Sequence, residues 1–104
     1  MRYGFELDHR LGIPLPSLKQ EWEDYTAEER ASILLEWEEI RARIPDRIKE
    51  LEVIINHKQN ALSVEDNFQV SCQLNSEIAE LASVINDLHI WFRIQQDHGA
   101  KTHQ

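Results

Sequence analysis

The sequence predicts an all-α protein built on a long antiparallel helical hairpin. Apolar residues between Leu74 and Phe92 recur at alternating steps of four and three, which is the spacing of one continuous helical face. A second series with helical spacing runs from Ile33 to Leu62. The chain of 104 residues holds only three glycines and three prolines, whereas a many-stranded sheet would need a turn about every 8–12 residues. These observations favour a few long helices in one domain.

The N-terminal segment is predicted to be an irregular arm over residues 1–16. It holds two of the three glycines and two of the three prolines, Pro14 and Pro16. The alternation of Tyr3, Phe5 and Leu7 would suit a strand, but no second strand is evident to pair with it. We therefore expect an extended apolar arm laid across the helices. Pro16 can begin a short helix that ends near Asp24.

Residues 17–62 are predicted to form helices with a kink or a break at Pro45. Thr26 and Glu29 have the spacing of a capping box, in which each side chain accepts from the backbone amide of the other residue. Pro45 lies inside the apolar series, where a proline removes a hydrogen bond and crowds the preceding turn. The apolar stripe keeps its phase across Pro45, which favours a kinked helix over two separate helices.

The chain reversal is predicted near Ser63, which can cap a long C-terminal helix over residues 64–97. The last residues, 98–104, are expected to form a frayed tail after this helix. Folding the two helices about residue 63 brings Leu51 opposite Leu74. The same register places Glu77 and Glu80 against the basic residues around Pro45, namely Arg47 and Lys49.

A second set of apolar residues lies away from the main stripe and predicts an additional contact. Its small or secondary members are Leu34, Ala79 and Ala82, and the residues predicted to form the partner or dimer surface are Leu35, Val53, Ile54, Val84 and Trp91. A helix that is apolar over more than a third of its circumference needs partners on two sides. We expect a homodimer in which two hairpins form a four-helix bundle. The alternatives are a monomer that folds at Pro45 into a compact bundle, and a surface kept for a different protein.

The composition limits where in the cell the protein is expected and which kinds of partner it is expected to bind. The formal net charge is −8, which repels phosphate backbones and anionic membranes and argues against both as partners. Cys72 is the only cysteine, which suits a reducing compartment. No apolar run approaches the roughly 20 residues of a membrane span. We expect a cytoplasmic protein that binds itself and a second protein, without nucleic acid or membrane.

The candidate residues for catalysis are two pairs of glutamates. Glu36 and Glu39 are three residues apart, and Glu77 and Glu80 repeat that spacing. Four such carboxylates could hold magnesium or manganese in an all-α metal-dependent hydrolase. The predicted register places the two pairs about two turns apart, and an aspartate at the spacing expected after the second pair is missing. The leading interpretation is therefore a non-enzymatic interaction module, either an adaptor or a regulator, without a cofactor; the hydrolase is the alternative.

Overall fold

The structure, a computed structural model, describes the backbone of residues 3–102 and the side chains of residues 3–94. The chain is mostly helical, at 71%. The described elements are strands β1 (Tyr3–Asp8) and β2 (Ile13–Leu18), a 3₁₀ turn (Trp22–Asp24), and helices α1 (Ala27–Arg41), α2 (Ile44–Ser63) and α3 (Phe68–Thr102). The chain divides into two compact units, the first ending at Ile44 and the second beginning at Pro45.

The all-α prediction is wrong at the N-terminus, where the predicted irregular arm is a β-hairpin. Strands β1 and β2 pair in antiparallel register, with Phe5 opposite Pro16 and Asp8 opposite Ile13. The Asp8 side chain accepts a hydrogen bond from the Leu11 amide at 2.9 Å and closes the turn. Gly12 has a φ of 76°, which favours glycine because a β-carbon would be strained there. The second strand is therefore the segment that contains the two prolines, which the sequence analysis did not predict to be a strand.

The two prolines fit this hairpin because they share one edge of β2. Pro14 and Pro16 are two residues apart, and alternate residues of a strand direct their backbone nitrogens to the same side. In a two-stranded sheet, one side of each strand has no neighbour, so a residue without an N–H group costs no ladder hydrogen bond there. Proline thus restricts β2 to an edge position, and both strands of this sheet are edges.

The short helix predicted after Pro16 is also wrong. Strand β2 continues to Leu18, and only the 3₁₀ turn Trp22–Asp24 follows it. The buried Tyr25 fixes this connection, because its hydroxyl accepts from the Lys19 amide at 3.0 Å and from the Gln20 amide at 3.2 Å. The Tyr25 ring also meets the ring of Tyr3 edge to face, with centroids 6.1 Å apart. One aromatic side chain therefore links β1 to the entry of α1.

Helix α1 begins at the capping box that the sequence predicts. The Glu29 amide donates to Thr26 Oγ1 at 3.0 Å, and the Thr26 amide donates to Glu29 Oε1 at 2.9 Å. Both bonds satisfy amides that have no partner inside the helix. Ile33, Trp37 and Ile40 are the buried residues of α1, and their steps of four and three place them on one face.

The helical course is interrupted by the two-residue turn Ala42–Arg43. The Arg43 amide bonds to the Ile40 carbonyl at 3.0 Å, a spacing of three residues that tightens the end of α1. Pro45 is the second residue of α2. Its missing N–H group costs little there, because amides of a first turn have no partner in the helix. The turn therefore lies two residues before Pro45, between α1 and α2.

The reversal in the second unit is the turn Val64–Asn67, and Asn67 caps α3 instead of Ser63. The Asn67 side-chain oxygen accepts from the Val70 amide at 3.1 Å, and the Asn67 carbonyl accepts from the Ser71 amide at 2.9 Å. The Ser63 hydroxyl instead donates to the Asn60 carbonyl at 2.7 Å, at the end of α2. Helix α3 therefore begins four residues later than the sequence predicts.

Helices α2 and α3 run antiparallel, but their register differs from the prediction. Glu77 pairs with Lys58 at 2.8 Å, nine residues beyond Lys49. Arg47 is paired with Glu50 of its own helix at 3.2 Å. Apolar residues recur every three or four positions on both helices, so several registers bring apolar residues together. The later turn and the Lys58–Glu77 pair select the one in the structure.

Helix α3 extends to Thr102 and so includes part of the segment predicted to be a frayed tail. The rest of that prediction, at His103 and Gln104, lies outside the described residues. Among the described residues, none of the helices combines the length and the apolar character that a membrane crossing requires.

Candidate interaction surface

The residues predicted to form a partner surface do not share one environment. Leu35, Val53 and Ile54 are exposed, with Leu35 in the first unit and the other two on α2. Trp91 is half-buried. Val84 is only 3% exposed and belongs to the core of α3 with Leu88. The exposed members are therefore Leu35 on one unit and the adjacent pair Val53 and Ile54 on the other, and they do not form one continuous surface.

The carboxylates of the alternative metal site lie in different units. Glu36 and Glu39 are exposed residues of α1, while Glu77 and Glu80 belong to α3 in the second unit. Across the part of the chain that the structure describes, no group of three or more histidine, cysteine, aspartate or glutamate side chains could hold a metal ion. The placement adds no support to the hydrolase alternative.

Glu77 has a structural role at the contact between α2 and α3. Its carboxylate accepts from Lys58 Nζ at 2.8 Å and from Gln73 Nε2 at 3.1 Å. The hydrogen bond from Lys58, and then that from Gln73, lowers the pKa of Glu77 below its usual value. Since the folded pKa is lowered, any stability from this pair is present above the usual glutamate pKa and is lost as pH falls through the lowered value.

An open cleft of about 540 Å³ lies between α2 and α3. Its lining combines polar and apolar side chains, namely Glu52, Ile55, Asn56, Gln59, Ala82 and Ile85. Ile55 and Ile85 are half-buried, although the predicted contact between the two helices would bury both of them fully. The tightly packed part of the unit lies nearer Ile48 and Leu51 on α2, and Val84 and Leu88 on α3, all of which are buried.

The side of α3 opposite the buried residues forms a long exposed strip, which we call the α3 outer face. Its members are Phe68, Cys72, Asn75, Ala79, Ser83, Asn86 and Ile90, and all of them are exposed. Successive members are three or four residues apart, which keeps them on one side of a helix with 3.6 residues per turn. The strip extends about 33 Å along the helix at 1.5 Å per residue.

No charged residue lies on the α3 outer face between Phe68 and Ile90, and the next residue on the same side, three positions further, is the exposed Arg93. Charged residues make up 29% of the chain, and its net charge is −8. The acidic residues that α3 does carry between Phe68 and Ile90 are Glu77, Glu80 and Asp87. By helical periodicity these three lie on the sides of the helix, away from the strip. The strip is therefore uncharged within these limits, on a part of α3 that carries few charged residues.

Large apolar side chains are exposed at both ends of the α3 outer face. Phe68 is 79% exposed at the first residue of α3, and Ile90 is 45% exposed near the other end. Val64, 78% exposed, precedes Phe68 across the turn. Exposed apolar groups that lie close together mark a binding surface more often than single ones do, and here Phe68 and Ile90 stand at opposite ends of the strip.

Sequence reasoning missed this strip, although its signal was present. The predicted second apolar set includes Ala79, at the centre of the strip, but it passes over the polar members of the strip and over Phe68 and Ile90 at its ends. The useful signal is the absence of charge at steps of three and four between Phe68 and Ile90, in a chain rich in charged residues elsewhere.

No protein family model, no curated protein and no solved structure matches this chain. The α3 outer face therefore has to be interpreted from its own geometry and charge.

Proposed function

We propose that the chain is a non-enzymatic protein–protein interaction module that associates with a second copy of itself. The observation that carries this proposal is the α3 outer face, an exposed and uncharged strip that ends in Phe68 and Ile90. The proposal places the protein in the cytoplasm, where its exposed Cys72 would remain reduced.

The apolar ends of the strip supply a driving force for association. Full burial of a large apolar side chain contributes about 1.5–3 kcal/mol. In the described state Phe68, which is 79% exposed, gains little of this, and Ile90, which is 45% exposed, gains only part of it. A partner that covers both ends of the strip recovers that free energy, so binding is favoured there over the charged faces.

The charge of the chain restricts where two copies can meet. Each copy carries a formal charge of −8, so most approaches bring acidic surfaces together. Contact through the α3 outer face avoids this, because no charged residue lies within the strip. Leu35, Val53 and Ile54 lie off the strip and stay available to a different protein, which is the adaptor part of the proposal.

Size exclusion coupled to light scattering tests self-association over a range of concentrations. We expect the mass to rise from 12.3 kDa for one chain towards twice that value as the concentration passes through the micromolar range. Added salt should leave the dimer intact or strengthen it, because salt screens the repulsion between two acidic chains. A mass of one chain at every concentration and salt level would contradict the proposal.

A further inference from the structure

We propose that two copies pair through their α3 outer faces in antiparallel order, with the two-fold axis of the dimer passing beside Ala79. This inference rests on the proposed self-association and specifies its geometry. In this arrangement Phe68 of each copy packs on Ile90 of the second copy. Cys72 lies against Asn86, Asn75 lies against Ser83, and the two Ala79 residues meet at the axis.

The spacing of the strip, like that of other helical faces, permits a two-fold axis, and the side-chain sizes and charges described next assign it to Ala79. From Phe68 to Ile90 the successive steps along the strip are four, three, four, four, three and four. This series is the same in both directions, with Ala79 at its centre. An antiparallel helix pair related by a two-fold axis requires that symmetry, because each residue at a given distance before the axis meets one at the same distance after it.

The sizes of the side chains follow the same symmetry. Ala79 at the centre is small, its neighbours along the strip are the short polar residues Asn75 and Ser83, and the large apolar residues Phe68 and Ile90 stand at the ends. Two helices that cross at an angle are closest at the crossing point and diverge on both sides. Small residues permit the close approach at the centre, and large residues fill the wider space at the ends.

Charges beside the strip favour antiparallel over parallel order. Arg93 lies just beyond Ile90, and the turn before Phe68 carries the acidic residues Glu65 and Asp66. Antiparallel pairing brings Arg93 of each copy near the acidic turn of the second copy, at both ends of the interface. Parallel pairing would instead place the two Arg93 residues together and the two acidic turns together, which is unfavourable.

The outer side of α2 is a poorer surface for a second copy. Its exposed apolar residue Val53 is flanked on the same side of the helix by Asp46 and Lys49. The steps there are symmetric about Val53 as well, but the charges are not, because Asp46 and Lys49 would face the uncharged side chains of Asn60 and His57. The α3 outer face is therefore the surface that we assign to the dimer.

Disulfide trapping tests this geometry in the full chain. The variant Ala79→Cys, combined with Cys72→Ser, should give a covalent dimer on a non-reducing gel after oxidation by copper phenanthroline, because two cysteines beside the axis can approach within the range of a disulfide. The unaltered chain is the matched control. Its two Cys72 residues would lie about 21 Å apart along the helices and should not cross-link. Circular dichroism confirms that the variant is folded, as expected for a small change at an exposed site.

The outcomes separate this inference from the proposed function. Cross-linking at position 79 without cross-linking at Cys72 supports the antiparallel pair. Cross-linking at Cys72 instead would overturn it, because that requires another register or parallel helices. No cross-link at position 79, with a dimeric mass by light scattering, would overturn the geometry and leave self-association standing. If no cross-link forms and the mass is that of one chain, both the antiparallel geometry and the proposed self-association are contradicted.

Discussion

Leu88→Asp is expected to unfold the second unit of the chain. Leu88 is 0% exposed and belongs to the core of α3. The substitution removes the burial of a leucine and places a charge where water has no access. Together these effects should lower the free energy of unfolding by about 4 kcal/mol or more. A small domain has a stability of about 5–15 kcal/mol, so most of it would be lost. Circular dichroism and thermal melting measure the loss of helix.

Ile90→Asp is the matched control for this prediction. It makes a similar change only two residues away on the same helix, but Ile90 is 45% exposed and lies on the α3 outer face. This variant should keep its helical signal and lose only the ability to dimerise. If Leu88→Asp melts like the unaltered chain, the described core of α3 is incorrect.

Lysine at both ends of the α3 outer face is expected to convert the dimer into a monomer. In the antiparallel pair, Phe68→Lys with Ile90→Lys replaces two apolar contacts and sets like charges opposite each other at both ends of the interface. Loss of about 3 kcal/mol or more corresponds to an increase in Kd of at least about 100-fold. Sedimentation velocity measures Kd for both chains. Each variant chain is also less acidic than the original, so greater overall repulsion between copies would not explain a loss of association.

The control for this prediction makes the same change in charge on α2. Val53→Lys with Ile54→Lys alters two exposed apolar residues that lie off the α3 outer face. We expect this chain to dimerise with nearly the original Kd. A dimer that tolerates lysine at residues 68 and 90 but not at residues 53 and 54 would assign the interface to α2 instead.

The helices were predictable from the sequence where a local signal fixes them. The capping box at Thr26 and Glu29 is present in the structure, because both of its hydrogen bonds depend on residues three apart in the chain. Leu88, a member of the predicted apolar series, is fully buried. Ile78 and Ile85 of the same series are half-buried, so a substitution there should destabilise less than one at Leu88.

The β-hairpin was not predictable in the same way, because two signals opposed each other. Pro14 and Pro16 argue against a strand in the middle of a sheet, but they are compatible with an outer edge. The sequence alone does not show that the sheet has only two strands. The alternation of Tyr3, Phe5 and Leu7 was the correct signal, and its partner strand contained the prolines.

The register of α2 against α3 could not be predicted from the spacing of apolar residues alone. Apolar spacing allows several offsets, and the choice depends on where the turn lies and which residue caps α3. Asn67 supplies that cap and Lys58 supplies the partner of Glu77. Val84, predicted for the partner surface, is buried with Leu88, so the buried side of α3 includes residues beside the predicted apolar series.

Pulsed dipolar electron spin resonance on singly spin-labelled chains tests the central claim, that a second copy covers the α3 outer face, most directly. A label is placed in turn at residue 72, 79 or 86, with Cys72 replaced by serine in the latter two chains. The antiparallel pair predicts the shortest distance between labels at residue 79. The distances at residues 72 and 86 should be longer and equal to each other, each with an axial separation of about 21 Å. Equal distances at all three positions, or no dipolar signal at any of them, would contradict this arrangement.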